Sequence, residues 1–259
     1  MLERRKLANG VIALVSPTLE SDGFLAAFTE RERGTSTGAF HSLNLGLRTG
    51  DDPERVAANR SRVCEALAVS QFACGRQVHG SNLERVGPER AGAGFADPSS
   101  AFDATDALIT SEAGTALAVL TADCFPVALG DPRNGTIAVV HAGWRGVAAG
   151  IIGKAVAAFD DPPSVKASVG PGISVDHYEV RGDVVAAVTA GAETDAVVRT
   201  NAGRVHLDLG ATLERSLRVR GVRHIETAGL CTACEQDRFF SYRRDGLTGR
   251  QSLIALRMS

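Results

Sequence analysis

Short apolar runs, separated by glycine-, proline- and acid-rich punctuation, recur along the whole chain. Runs of this kind are the signature of strands bounded by turns. They predict strands at Val11–Ser16, Phe24–Thr29, Phe72–Val78, Ala104–Thr110, Ala116–Thr121, Val165–Val169, Arg204–Leu207, Val222–Glu226 and Gln251–Arg257. The most pronounced pair is Phe125–Leu129 and Thr136–Val140, joined by a turn built from Gly130, Asp131, Pro132, Asn134 and Gly135. That arrangement predicts a hairpin or a tight connection. Helical spacing takes over after Asp51-Asp52-Pro53, where a capping acid precedes proline. Val56, Arg60, Val63 and Leu67 then share one face. Gly146–Phe159 is small or apolar almost throughout and reads as a buried helix, followed by helices at Gly182–Ala190 and Leu209–Val219, the last capped by Asp208. Glu30–Ser42 and Gly87–Ala104 read as loops, and Phe239–Arg250 as a hairpin. Strands and helices do not alternate regularly. The predicted class is therefore α+β, an irregular layered α/β arrangement with mixed sheets, rather than a Rossmann sheet.

Composition narrows the picture. A chain of 259 residues suits one large domain or two small ones, and a hydrophobic content of 44% supports a substantial core. The formal net charge of −2, with no basic block, argues against nucleic acid as a partner. No stretch approaches the ~18 apolar residues of a membrane span, and the charged start MLERRKLANG leads into an apolar run, Val11–Val15, too short and too poorly flanked to be expected as a signal peptide. Five cysteines at irregular spacing are not a disulfide framework, so a reduced, cytoplasmic setting is expected.

Candidate chemistry centres on Thr121–Gly146, TADCFPVALGDPRNGTIAVVHAGWRG. Cys124 opens one apolar run and His141 closes the next, so pairing of the strands brings a thiol near an imidazole. Together they suit a transition metal, zinc above all and copper second. Without metal they suit a thiol nucleophile and its base. His79, at the end of the Phe72–Val78 run and just before Gly80, is a third candidate ligand. Three protein ligands with an open fourth position make a catalytic site. Asp123, beside Cys124, is placed to move a proton or order a ligand. Arg145 stands at the start of the Gly146 helix, where an anion can be held. Arg31 in its loop and Arg243 in FFSYRRDGLTGR offer further cations. Gly170-Pro171-Gly172-Ile173-Ser174 is a tight turn or a phosphate cradle. Cys231-Thr-Ala-Cys234 is a lone pair with no second pair to make a zinc ribbon.

Seven stretches in order, SLNLG (Ser42–Gly46), GDDPERVAANR (Gly50–Arg60), QVHG (Gln77–Gly80), TADC (Thr121–Cys124), HAGWRG (His141–Gly146), GPGI (Gly170–Ile173) and FFSYRRDGLTGR (Phe239–Arg250), closely resemble the YfiH family. It is also called the laccase-domain, polyphenol-oxidase or peptidoglycan-editing-factor family. The resemblance covers nearly the whole chain and implies one domain spanning 1–259, with a layered fold related to bacterial toxin deamidases. It implies zinc-dependent phosphorolysis of purine nucleosides, including adenosine, inosine and methylthioadenosine, together with adenosine deaminase activity. The family's ligands carry over as His79, Cys124 and His141, and the arginine of its TTR-type sequence as Arg31. The catalytic set then comprises these ligands with Arg145 and Asp123. Arg31, Asn44, Arg145 and Arg243 are the expected contacts to phosphate and nucleoside. Neither nucleic acid nor membrane is an expected partner, and the expected state is a monomer or homodimer. Two other enzyme readings stand beside this one: a copper-dependent polyphenol oxidase, and a Cys124–His141 amide hydrolase acting in peptidoglycan editing. A metal- or partner-binding module without turnover is the third.

Overall fold

The computed structural model describes residues 1–258 and is built on two six-stranded sheets and one three-stranded sheet. The first large sheet runs in the order Glu3–Lys6, Ile12–Val15, Phe24–Thr29, Gln251–Arg257, Leu117–Thr121, Ala73–Cys74. All its neighbours are antiparallel except the last pair. The second runs His224–Thr227, Lys166–Val169, Phe125–Asp131, Thr136–Ala142, Ala107–Thr110, Leu83–Arg85, with an antiparallel middle and parallel outer pairs. The small sheet is Glu179–Val180, Arg204–Asp208 and Val197–Asn201. This is the mixed α+β class expected.

Strand alternation explains the layering. In Thr136–Ala142, Ile137 and Val139 join a core with Phe28, Val119 and Leu253 of the first sheet, so this core lies between the two large sheets. Ala138, Val140 and Ala142 face the other way, into a second core with Val147, Ile151, Val188 and Leu213 from the helices. A strand buried on both faces has no need of polar positions, which is why residues 137–140 form a continuous apolar run. The outer face of the first sheet packs Ala13, Ala27, Ala118 and Ile254 against Val63 and Cys64 of the helix Pro53–Ala66. The order is helix, sheet, sheet, helices.

Local signals explain most element boundaries. Asp52 accepts the Glu54 N–H and Pro53 begins the helix, while Asp208 accepts the Ala211 N–H at the head of Leu209–Val219. Three expectations change. Gly146–Phe159 is two helices, Trp144–Ala148 and Ile151–Ala157, because Gly150 takes φ 80° between them. Phe72–Val78 pairs only at Ala73–Cys74, after which the chain leaves the sheet. Phe239–Arg250 is no hairpin: Ser241 caps a short helix, Tyr242–Asp245, and the chain enters the last strand at Gln251. Among the described residues no helix is long and apolar enough to cross a membrane.

Two segments cross from the first large sheet to the second at the same end. One is Gly75–Asn82, between the edge strands Ala73–Cys74 and Leu83–Arg85. The other is Ala122–Cys124, between Leu117–Thr121 and Phe125–Asp131. The candidate site is built on these crossings.

Candidate metal centre

The hairpin register pairs Pro126 with His141 and Phe125 with Ala142, so Cys124 enters beside the strand that delivers His141. The other crossing supplies His79. One ligand atom from each of His79, Cys124 and His141 lies within 4.8 Å of the others, and the two imidazole centroids are 4.8 Å apart. His141 is buried, Cys124 half-buried and His79 exposed, so the cluster opens to solvent on the His79 side. Gly143 makes this convergence fit. A Cβ there would stand 2.8 Å from Cys124 Sγ and 3.0 Å from His79 Cδ2.

Asp106 organises both histidines. It is fully buried, and its Oδ1 lies 2.8 Å from His141 Nδ1. The same oxygen accepts the His79 backbone N–H at 2.9 Å, while Oδ2 accepts Val78 N–H at 3.1 Å and Gly80 N–H at 2.8 Å. Three successive amides closing on one carboxylate form an anion nest. The nest accompanies the left-handed backbone of His79, φ 59°. Donation from His141 Nδ1–H leaves Nε2 as the free ligand atom, the usual way an imidazole is fixed for a metal. Sequence reasoning missed this residue. Its one signal is a lone acid opening the apolar run ALIT, since a buried carboxylate needs partners.

Charge in the cluster is distributed accordingly. Burial alone would raise the Cys124 thiol, but the His141 charge and hydrogen bonds from His141 and His79 outweigh it and bring it down to about 6. Burial alone would lower His141, but Cys124 and Asp106 raise it to about 9. Two imidazoles and an easily ionised thiol, with the buried imidazole already oriented, fit a divalent transition ion with one face left open.

The triad forms part of the wall of a cavity of about 610 Å³, which Asp123, Arg145, Arg243, Arg48, Arg250, Tyr178 and Tyr242 also line. The Arg145 guanidinium stacks on Trp144, 4.6 Å from ring centroid to guanidinium carbon, and makes no hydrogen bond or ion pair among the described residues. Arg243 Nη1 donates to the His177 carbonyl at 3.0 Å. Asp123 holds φ 92°; its Oδ1 accepts from Thr232 Oγ1 at 2.7 Å and its Oδ2 from the Arg243 amide at 2.6 Å. Both oxygens are thus engaged in holding the loop.

Two expected contacts lie elsewhere. Arg31 stacks on Phe240, donates to the His41 and Gln236 carbonyls, and lines a separate cavity with Arg33 and Arg244. Asn44 is buried. Its amide nitrogen donates to Thr49 and Asp51, and its oxygen accepts from the Gly46 and Arg250 amides. It shapes the loop carrying Arg48 and Arg250 but does not line the large cavity. The Gly170–Ser174 segment is a packed turn rather than an open cradle: Gly170 and Gly172 lie against Phe28 and Phe125 too closely for a Cβ.

Residues 25–257 match the family described as multi-copper polyphenol oxidoreductase laccase. The chain belongs to this family. Its laccase-domain relatives include the purine nucleoside phosphorylase YlmD of Geobacillus stearothermophilus, 37% identical over 241 residues and 88% of each chain. A purine nucleoside phosphorylase of Deinococcus radiodurans is 40% identical, over 86% of this chain and 85% of its own. Among solved laccase-domain structures, that of the Geobacillus YlmD superposes with a TM-score of 0.93 at 34% identity over the full length of both chains. The hypothetical protein YfiH of Bacillus licheniformis superposes at 0.88 with 30% identity, covering 94% and 96% of the two chains.

Proposed function

We propose that this protein is a zinc-dependent purine nucleoside phosphorylase, acting on adenosine, inosine and methylthioadenosine, and that the same site deaminates adenosine. The observation that carries the reading is one cavity edged on one side by the His79, Cys124 and His141 donors and on others by unpaired or lightly bonded guanidiniums. Relatives covering most of the chain and named purine nucleoside phosphorylases supply the substrate class.

Phosphate is a dianion with oxygens in a plane that suits guanidinium forks. Arg145, whose guanidinium makes no hydrogen bond or ion pair among the described residues, is the first holder and Arg243 the second. Tyr178, Tyr242 and Trp144 offer aromatic faces on which a purine stacks. A zinc ion held by the triad supplies a Lewis acid beside the substrate. Asp106 keeps the proton on His141 Nδ1 and so keeps Nε2 a ligand. Asp123 fixes the Arg243 amide and the Thr232 hydroxyl, setting the loop that carries Cys124.

The test is release of hypoxanthine from inosine, and of ammonia from adenosine, by purified zinc-loaded protein with and without phosphate. Hypoxanthine release that requires phosphate is the expected result; absence of both base and ammonia release refutes the proposal. Chelation should abolish turnover, whereas a Cys124–His141 amide hydrolase would survive chelation and succumb to alkylation. Copper-dependent phenol oxidation, which the family description names, is the weaker reading on donor count. The chain has six histidines, of which two are in the triad, too few nearby for a cluster of coppers.

A further inference from the structure

Cys231 and Cys234 have no part in the chemistry above. The fold does something with them that their spacing does not show. Cys231 bridges to Gly172, and the turn that follows carries Cys234 to the end of the single-turn helix Val175–His177. His177 Nε2 lies 3.2 Å from Cys234 Sγ. The Ser174 amide N–H donates to Cys231 Sγ at 3.3 Å, which leaves that sulfur as an acceptor. One ligand atom from each of His177, Cys231 and Cys234 lies within 4.8 Å of the others, and neither thiol is in a disulfide. None of the three lines the large cavity.

We propose that His177, Cys231 and Cys234 form a second zinc site, separate from the His79, Cys124 and His141 centre. Two thiolates and an imidazole are a common zinc set. Bonds of about 2.3 Å to sulfur and about 2.0–2.1 Å to nitrogen in a tetrahedron put the donor atoms roughly 3.5–3.8 Å apart. His177 and Cys234 already stand 3.2 Å apart and both are exposed, so small side-chain rotations are all that this spacing asks of the cluster. Exposure also gives the ion an entry path and a solvent-facing fourth position. Asp176 and Glu235 add negative potential around Cys234. Binding displaces the thiol protons to solvent and oxidises nothing.

The site is a clip. It fastens the segment ending at His177 to the 231–234 turn, and both brace the pocket wall. Thr232 donates to Asp123, the Ile173 amide donates to the Asp123 carbonyl, and the His177 carbonyl accepts from Arg243. Tyr178 follows His177 directly into the cavity lining. Loss of this ion loosens Arg243 and Tyr178 without removing the first metal.

The experiment is zinc stoichiometry on protein purified under reductant, stripped, reloaded with zinc and desalted. Two ions per chain are expected, falling to one in Cys231→Ser/Cys234→Ser and to one in His79→Ala/Cys124→Ser. Should the paired serine variant misfold, Cys234→Ser alone, at an exposed position, keeps the test open through an at least tenfold weaker second zinc. Cobalt loaded into His79→Ala/Cys124→Ser should give thiolate charge-transfer absorption in the near ultraviolet and tetrahedral visible bands. A single zinc in the wild type that both cysteine variants retain, no zinc in His79→Ala/Cys124→Ser, or cobalt bound there without thiolate bands would each overturn the proposal. So would a Cys231–Cys234 disulfide that persists in reductant.

Discussion

Asp106→Asn isolates the contribution of one buried carboxylate. Asp106 accepts four hydrogen bonds, three from the Val78, His79 and Gly80 amides and one from His141. Asparagine has nearly the same shape but only one oxygen, and its amide nitrogen is a donor. If the oxygen takes the place of Oδ1, the Val78 and Gly80 N–H groups face an NH₂. If it takes the place of Oδ2, the His79 amide and His141 do. Either way two donors that are at least partly buried lose their acceptor, at about 1–3 kcal/mol each, or roughly 2–6 kcal/mol in all. For a chain of this size that is a fall of roughly 4–24 °C in Tm at about 2–4 °C per kcal/mol. Metal affinity should fall about 10- to 100-fold, the usual consequence of losing the partner of a ligating histidine. Thermal melts and zinc competition against a chromophoric chelator measure the two effects. Asp103→Asn, which alters only an ion pair of an exposed acid with Arg76, is the control and should move Tm by no more than a degree or two. An Asp106→Asn protein that melts within about 2 °C of wild type and binds zinc equally well would refute the account of the nest.

Arg145→Ala should raise the KM for phosphate and lower kcat/KM by roughly 30- to 150-fold, the worth of about 2–3 kcal/mol of charge-assisted hydrogen bonding. Its melting temperature should change little, because the Arg145 side chain makes no hydrogen bond or ion pair among the described residues and only stacks on Trp144; phosphate titrations with inosine read the first, a melt the second. Gly143→Ala drives a methyl into Cys124 Sγ and His79 Cδ2. It should weaken zinc by tenfold or more while the protein stays folded, as circular dichroism and metal analysis would show. Glu30 gives the pH prediction. Burial alone would raise its carboxyl, but Arg4 and Arg238 hydrogen-bond to it and hold it below its ordinary value. The unfolded chain therefore binds the proton first. The stabilisation is complete above the unfolded value of about 4.3 and is lost as pH falls through the depressed folded value. Glu30→Gln should flatten that acid limb in a series of urea melts from pH 6 to 3; an unchanged slope rules out the assignment.

The sequence alone determined the strands and helices whose signals are local. Phe24–Thr29 and Gln251–Arg257 are apolar runs that carry their own punctuation, Asp52-Pro53 and Asp208 cap helices by contacts within a few residues, and Cys124 and His141 meet because a hairpin register is set by its own turn. The tertiary structure decided what depends on groups distant in the chain. Asp106 became the acceptor for both the His141 ring on the neighbouring strand and the His79 amide on a crossing between sheets, groups 35 and 27 residues away. Arg31 and Asn44 were drawn into internal hydrogen bonds by partners far from them in sequence, Gln236 and Arg250. His177 reached Cys231 and Cys234 only through the packing of the Gly172 bridge. Propensity and capping act over a turn or two of chain, whereas a buried polar group must find its partner wherever packing has put one, and no local pattern of residues encodes that place.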